Sequence, residues 1–295
     1  MDLKGCITAM VTPFGRNLEV DYDGLRQNVG FQIDNGISGL APLGTTGESP
    51  TISDSERSSV VSAVVEEARG RVPVIVGTGS NSTEKTIKYS KEAEHLGADA
   101  VLLVTPYYNK PTQEGIYRHF KAVSESIGIP IIAYNIHGRT GVNIETHTLL
   151  RMSSLENIIG VKEASGSILQ MMEVIERLPE GFAVLSGDDN MTLPLMVLGG
   201  HGVISVVSNL LPRRVSEMIS YAMKGDFENA RRLHFELLPM FRSAFLETNP
   251  VPIKAAMSLS GMPSGDVRLP LCEMNDVNSK KLIETLKLYK ELKHA

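Results

Sequence analysis

The chain has no tryptophan, and aromatic residues make up 5% of its 295 positions. It has no basic run and no stripe of interleaved basic and aromatic residues, and its formal net charge is −5. The electrostatic footprint of a nucleic-acid partner is therefore missing. Apolar runs are short. Pieces such as Val101 to Val104 and Ile129 to Ala133 fall far below the roughly 20 residues that span a bilayer. Two cysteines, Cys6 and Cys272, are too few for a disulfide framework. Met1-Asp2-Leu3-Lys4-Gly5 has no apolar signal segment. A reduced cytoplasmic protein with no membrane partner is expected. None of the 7 histidines stands in a His-Glu-x-x-His pattern, and no third acid or histidine joins Asp188-Asp189 at a useful spacing. No bound metal is therefore expected.

What is present is ordinary globular composition, 42% hydrophobic and 21% charged, long enough for a large core. Short β-branched runs alternate with longer helical patterns. The runs end near Thr12, Leu43, Thr78, Thr105, Tyr134, Lys162, Gly187 and Ser205, at spacings of 18 to 35 residues. Each spacing holds one strand, one helix and two loops. Eight such units predict an α/β chain folded as a (β/α)₈ TIM barrel. A doubly wound open sheet is the competitor, but Pro13-Phe14-Gly15 does not form its glycine-rich dinucleotide loop. The barrel is complete at about residue 224, and 225–295 read as a C-terminal α-helical extension. Its predicted helices are Phe227 to Phe245, Ile253 to Leu259 and Ser279 to Leu292, punctuated by Pro250, Pro252 and Pro263.

Helix starts are legible. Asp21 or Asp23 caps a helix bearing Leu25, Val29 and Ile33 and ending at Gly36. Ser53 and Glu56 form a capping box. Ser82 or Thr83 opens a helix that stops at Gly97, and Thr112 opens one that stops near Gly128.

In a parallel barrel the chemistry sits at the C-terminal strand ends. Lys162 closes the apolar run Ile158-Ile159-Gly160-Val161. A buried amine loses its water, becomes neutral near pH 7 and attacks ketones to give a Schiff base. Alone, that segment fits better with a strand-end lysine whose ammonium reaches solvent. The other strand ends reverse the balance. They carry Gly44-Thr45-Thr46-Gly47-Glu48, Thr105-Pro106-Tyr107-Tyr108-Asn109, Tyr134-Asn135 with Arg139 close behind, and Ser186-Gly187-Asp188-Asp189. The loop at 44–47 precedes a helix and is either a holder of a small carboxylate or a capped tight turn. Tyr134, 28 residues before Lys162, is either a proton shuttle beside an imine or a core tyrosine. Arg139 is either a surface charge or a bidentate reader of an anionic substrate. Asp188-Asp189 fit a helix N-terminus before Leu193.

Assembled, these residues resemble the dihydrodipicolinate synthase/N-acetylneuraminate lyase family of class I, pyruvate-handling aldolases. The resemblance runs from about Gly5 to Leu271 and includes Gly160-Val161-Lys162-Glu163 and Asn249-Pro250-Val251-Pro252. It implies that Lys162 forms the pyruvate imine, with no other cofactor. It implies a proton relay of Tyr134, Thr45 and Tyr108, with Tyr108 reaching in from a neighbouring subunit of a dimer or dimer of dimers. Thr46 would hold the pyruvate carboxylate, Gly187 and Ile204 would place backbone carbonyls beside the site, and Arg139 would receive the carboxylate of the aldehyde. The paired threonines and the Tyr134-Asn135…Arg139-Thr140-Gly141 pattern resemble the synthase branch, which condenses pyruvate with L-aspartate 4-semialdehyde to 4-hydroxy-tetrahydrodipicolinate in lysine and diaminopimelate biosynthesis. His137-Gly138 departs from that branch, which more often has a small residue or proline there.

Two other readings stay open on the sequence. One is the same chemistry on 2-keto-3-deoxygluconate, 4-hydroxy-2-oxoglutarate or N-acetylneuraminate. The other is a non-catalytic keto-acid sensor. The resemblance also implies a lysine-binding site at a dimer interface, matched here by Ser49, Pro50, Asp54, Arg57, Asn81, Lys85 and Tyr107. Lys85 puts a positive charge where an effector amine needs a negative one. Lysine is therefore expected to leave activity nearly unchanged in a steady-state assay, and inhibition at low-millimolar lysine or below would refute this.

Overall fold

The computed structural model describes residues 1, 3–290 and 292. The expectations that touch Asp2, or the end of the extension at 291 and 293–295, lie outside the described residues. The first half of the barrel comprises β1 (Gly5–Ala9), α1 (Tyr22–Asp34), β2 (Gly39–Ala41), α2 (Asp54–Ala68), β3 (Ile75–Gly77), α3 (Thr83–His95), β4 (Ala100–Val104) and α4 (Gln113–Ser124). The second half comprises β5 (Ile131–Asn135), α5 (His137–Thr140), α6 (Thr146–Met152), β6 (Ile158–Glu163), α7 (Ile168–Arg177), β7 (Ala183–Ser186), α8 (Thr192–Val197), β8 (Gly202–Ser205) and α9 (Pro212–Met223). The extension adds α10 (Phe227–Ser243), α11 (Val251–Leu259) and α12 (Asp276–Leu286).

All strand pairs are parallel, in the order β2-β1-β8-β7-β6-β5-β4-β3. A bridge between Leu40 and Val74 joins the two ends and closes the cylinder. The fold is a (β/α)₈ barrel with a helical C-terminal extension. Strand periodicity of two separates its layers. Ile7, Ala9, Ala41, Ile75, Leu102, Ile132, Tyr134, Leu185 and Ile204 fill the inside. Their neighbours, such as Val76, Val101, Leu103, Ala133, Val161 and Val203, pack outward in one cluster with the helices. This alternation matters on β6: Val161 belongs to the outer layer, so Lys162 belongs to the inner one.

The expected ends need adjustment. β1 stops at Ala9 rather than near Thr12, and β2 at Ala41 rather than Leu43. The residue after β2 is Pro42, which has no N–H to continue a ladder. Its carbonyl instead accepts from Gly77 N–H at 2.9 Å. Asp21 caps α1, Ser53 and Glu56 form the capping box of α2, Ser82 caps α3 and Thr112 caps α4. α4 ends at Ser124, short of Gly128, and α12 spans Asp276–Leu286 instead of starting at Ser279.

The extension grips the barrel through one buried charge pair. Lys254 on α11 is 1% exposed, and its Nζ donates to Glu48 Oε1 at 2.8 Å, Thr12 O at 3.1 Å and Asp266 O at 2.6 Å. The second oxygen of Glu48 accepts from Arg268 N–H at 3.0 Å. Burial pushes the Lys254 ammonium below its ordinary pKa, against the pull of Glu48. Removing one partner leaves the other charge buried and alone. Lys254→Ala is expected to lower the free energy of unfolding in urea by about 3–5 kcal/mol; a loss under about 1 kcal/mol would refute the grip.

Candidate active site

β5 and β6 pair in register, with Tyr134 opposite Lys162. Both side chains point inward, and Lys162 Nζ lies 4.2 Å from the Tyr134 ring centroid. Lys162 is 5% exposed. Burial brings its ammonium down to about 8; the Asp189 charge opposes the shift and the Arg139 charge adds to it. Burial pushes the Tyr134 phenol up to about 12, while the Arg139 charge and the Thr45 hydroxyl pull it back. The result is an amine that loses its proton readily beside a phenol that keeps its own, a pairing suited to nucleophilic attack and proton return.

Two chambers open above these groups. The inner one, about 40 Å³, is bordered by Lys162, Thr45, Thr46, Tyr134, Gly187 and Asn249 among others. The outer one, about 290 Å³, is walled by Thr45, Tyr107, Tyr134, Ile136, Arg139, Asn249, Pro250, Pro270 and Leu271 among others. Thr45, Tyr134, Arg139 and Asn249 border both. Gly187 is required where it stands: an added Cβ would lie 2.7 Å from Ala164 Cβ and 3.1 Å from the Lys162 stem. Gly77 is likewise a matter of backbone clearance, since its Cβ would meet Leu43 O at 2.2 Å.

The structure gathers Lys162, Tyr134, Thr45, Thr46, Gly187 and Arg139 around these chambers. Ile204 does not border either one; its side chain fills the barrel interior. Tyr108 stands away from the Lys162 of its own chain, 89% exposed and at φ 74°. Arg139 lies on the short helix α5 rather than in a loop. The loop at 44–47 does not lead directly into a helix, as expected, but into a 3₁₀ turn at Ser49–Thr51 after Glu48 at φ 53°. Its own backbone turn fixes it, with Gly47 N–H donating to Gly44 O at 3.2 Å and Glu48 N–H to Thr45 O at 3.1 Å. Side chains add to this: Thr12 Oγ1 donates to Gly47 O at 2.8 Å, and Asn249 Nδ2 to Thr46 Oγ1 at 2.9 Å.

Asp188 does cap a short turn, accepting from Asn190 N–H at 2.9 Å. Asp189 does something else. It is buried and accepts from Ser205 Oγ at 2.5 Å and from the N–H groups of Val206 and Val207 at 3.0 and 3.1 Å. It ties β7 to the end of β8, and its negative charge favours the protonated form of Lys162. Sequence reasoning placed Asp189 at the end of β7 but gave it a helix-capping role, and it gave Asn249, noted only within the Asn249-Pro250-Val251-Pro252 motif, no role in the site. Among the described residues no group of three His, Cys, Asp or Glu side chains gathers in metal-binding geometry, and no helix is long and apolar enough to cross a membrane.

A model of the dihydrodipicolinate synthetase family matches residues 2–289. The chain belongs to the dihydrodipicolinate synthetase family. It is 51% identical over 289 residues to the 4-hydroxy-tetrahydrodipicolinate synthase of Protochlamydia amoebophila, covering 97% of this chain and 96% of that one. It is 51% identical over 285 residues to the synthase of Methanocaldococcus jannaschii, covering 96% and 98%. The crystal structure of dihydrodipicolinate synthase from Aquifex aeolicus superposes with a TM-score of 0.97 at 46% identity, covering 99% of this chain and all of that one.

For this dihydrodipicolinate synthetase family member, the lysine has a measurable consequence. A pKa of about 8 against 10.5 leaves about 300-fold more neutral amine at neutral pH than an ordinary lysine has. Only the neutral amine attacks. The rate of imine formation with a keto acid, read by borohydride trapping, is expected to rise about tenfold per pH unit below pH 8 and to level above it. A rate still climbing past pH 10 would refute the depressed pKa.

Proposed function

We propose that this chain is a lyase, a 4-hydroxy-tetrahydrodipicolinate synthase, that condenses pyruvate with L-aspartate 4-semialdehyde through a Schiff base on Lys162. One observation carries the reading: the buried Lys162 amine at the floor of a two-chambered mouth, 4.2 Å from the Tyr134 ring. The neutral amine attacks the pyruvate carbonyl carbon. Tyr134 and Thr45 pass protons as the carbinolamine loses water to give the imine. The imine withdraws electrons from the adjacent methyl carbon, which gives up a proton and becomes an enamine. That carbon attacks the aldehyde carbon, whose oxygen takes up a proton. The amine of the joined product then attacks the imine carbon, closes the ring and releases Lys162. The imine is its own electron sink, so the route uses no organic cofactor and no metal.

The inner chamber suits the small keto acid, with Thr46 at its carboxylate and the Gly187 carbonyl as a backbone acceptor nearby. The outer chamber suits the second substrate, and Arg139 above it suits a carboxylated aldehyde. The lining mixes Pro250, Pro270, Leu271, Ile136 and Val104 with hydroxyls such as those of Ser49, Thr51, Thr140 and Thr248, so it is the Arg139 charge that favours a carboxylated aldehyde over a neutral sugar. Tyr108, exposed on a left-handed backbone, completes the proton relay of a neighbouring subunit in a dimer or dimer of dimers.

The test begins with pyruvate and borohydride. A reduced pyruvyl adduct mapped to Lys162 is expected, and an unmodified protein would favour a non-catalytic sensor. Turnover with aspartate semialdehyde is expected to exceed that with sugar aldehydes. Arg139→Ala should lower kcat/KM for the semialdehyde about ten- to hundredfold while leaving adduct formation intact. Loss of the adduct in that variant would refute the role given to Arg139.

A further inference from the structure

Asn249 sits between the two groups that face anions in this site. It comes from the turn between α10 and α11, in the extension rather than the barrel, and is 5% exposed. Its Nδ2 donates to Thr46 Oγ1 at 2.9 Å, and its backbone carbonyl accepts from Arg139 Nη2 at 3.1 Å. It borders both chambers. A threonine hydroxyl has one proton and two lone pairs. With the Asn249 amide filling a lone pair, the Thr46 proton must point elsewhere, and among the described residues no acceptor takes it. Thr46 shares the inner chamber with Lys162. Asn249 Oδ1 is buried and unpartnered among the described residues, so the side chain is held by its donor end.

We infer that Asn249 is a positioning residue for carboxylate recognition. Its side-chain amide turns the Thr46 hydroxyl into a donor aimed at the keto-acid carboxylate. Its backbone carbonyl meanwhile steadies the Arg139 guanidinium over the outer chamber. The inference rests on the roles proposed above for Thr46 and Arg139. It makes the helical extension a working part of the site, because this one residue crosses from it to both subsites.

Asn249→Asp tests the donor. The carboxylate has nearly the same shape but no N–H, so it accepts the Thr46 proton, takes that donor from the ligand and adds a negative charge nearby. The readout is the pyruvate concentration that gives half-maximal borohydride-trapped adduct, with the urea midpoint as a control on folding. We expect a rise of about tenfold or more at an unchanged urea midpoint. In a Thr46→Val background the same substitution should move that concentration by a clearly smaller factor, because the part that acts through the hydroxyl is gone and only the added charge remains. An unchanged value in Asn249→Asp, or an undiminished effect in the Thr46→Val background, overturns the inference. If Asn249→Asp fails to fold, Asn249→Ser gives the same two readings with a shorter side chain. If the wild-type protein forms no adduct, the proposed function fails; if it forms one and Asn249→Asp binds pyruvate normally, only this inference fails.

Discussion

The desolvation of one ammonium group organises this molecule. A lysine placed inside a closed parallel barrel loses its water, and the charged form loses much of its usual advantage over the neutral one. Lys162 meets that condition because β6 alternates its side chains and sends this one inward, where the apolar inner layer surrounds its stem. The surroundings hold the shift at a useful size. Asp189 pulls the pKa up and Arg139 pushes it further down. Asp189 stays buried because Ser205 and two backbone N–H groups satisfy its oxygens. A lysine shifted too little would attack slowly, and one with no polar counterweight would destabilise the barrel further.

The second organising contact is between the barrel and its extension. The loop at 44–48 leaves the barrel mouth without a helix to stiffen it and passes through a left-handed Glu48. Side chains from far along the chain hold it instead. Lys254 neutralises Glu48, Arg268 N–H takes its other oxygen, and Asn249 reaches Thr46. The same segment supplies Pro250, Pro270 and Leu271 as a wall of the outer chamber. The extension therefore shapes the mouth as well as packing against the outside. This joins stability to function: the contacts that dock α11 also fix the loop that would face the keto acid.

The two chambers give the order of events a physical basis. The inner one is small and holds the amine; the outer one is larger, mostly apolar, and carries a single arginine at its collar. A keto acid bound covalently on the floor would present its new nucleophilic carbon upward, toward a partner oriented by that arginine. Tyr134 and Thr45 border both chambers, so the proton roles proposed for them put one pair beside both imine formation and carbon–carbon bond formation.

The chain's own pattern determined the architecture and the floor of the site. Eight β-branched runs at regular spacing dictate eight strands, and strands of a parallel barrel must present their C-terminal ends on one rim; Lys162, Tyr134 and the threonine pair are legible for that reason. The caps at Asp21, Ser53, Ser82 and Thr112 are local hydrogen bonds, so they too could be read directly. What the pattern could not show is contact between separate elements, whether about 200 positions apart, as for Asn249 and Lys254, or 16 to 18 apart, as for Asp189. Asn249 against Thr46, Lys254 against Glu48 and Asp189 under β8 have no periodic signature, because each depends on how separate elements pack rather than on what stands beside them in sequence. Only the tertiary structure decided these, since burial and pairing are properties of the assembled core and not of any segment alone.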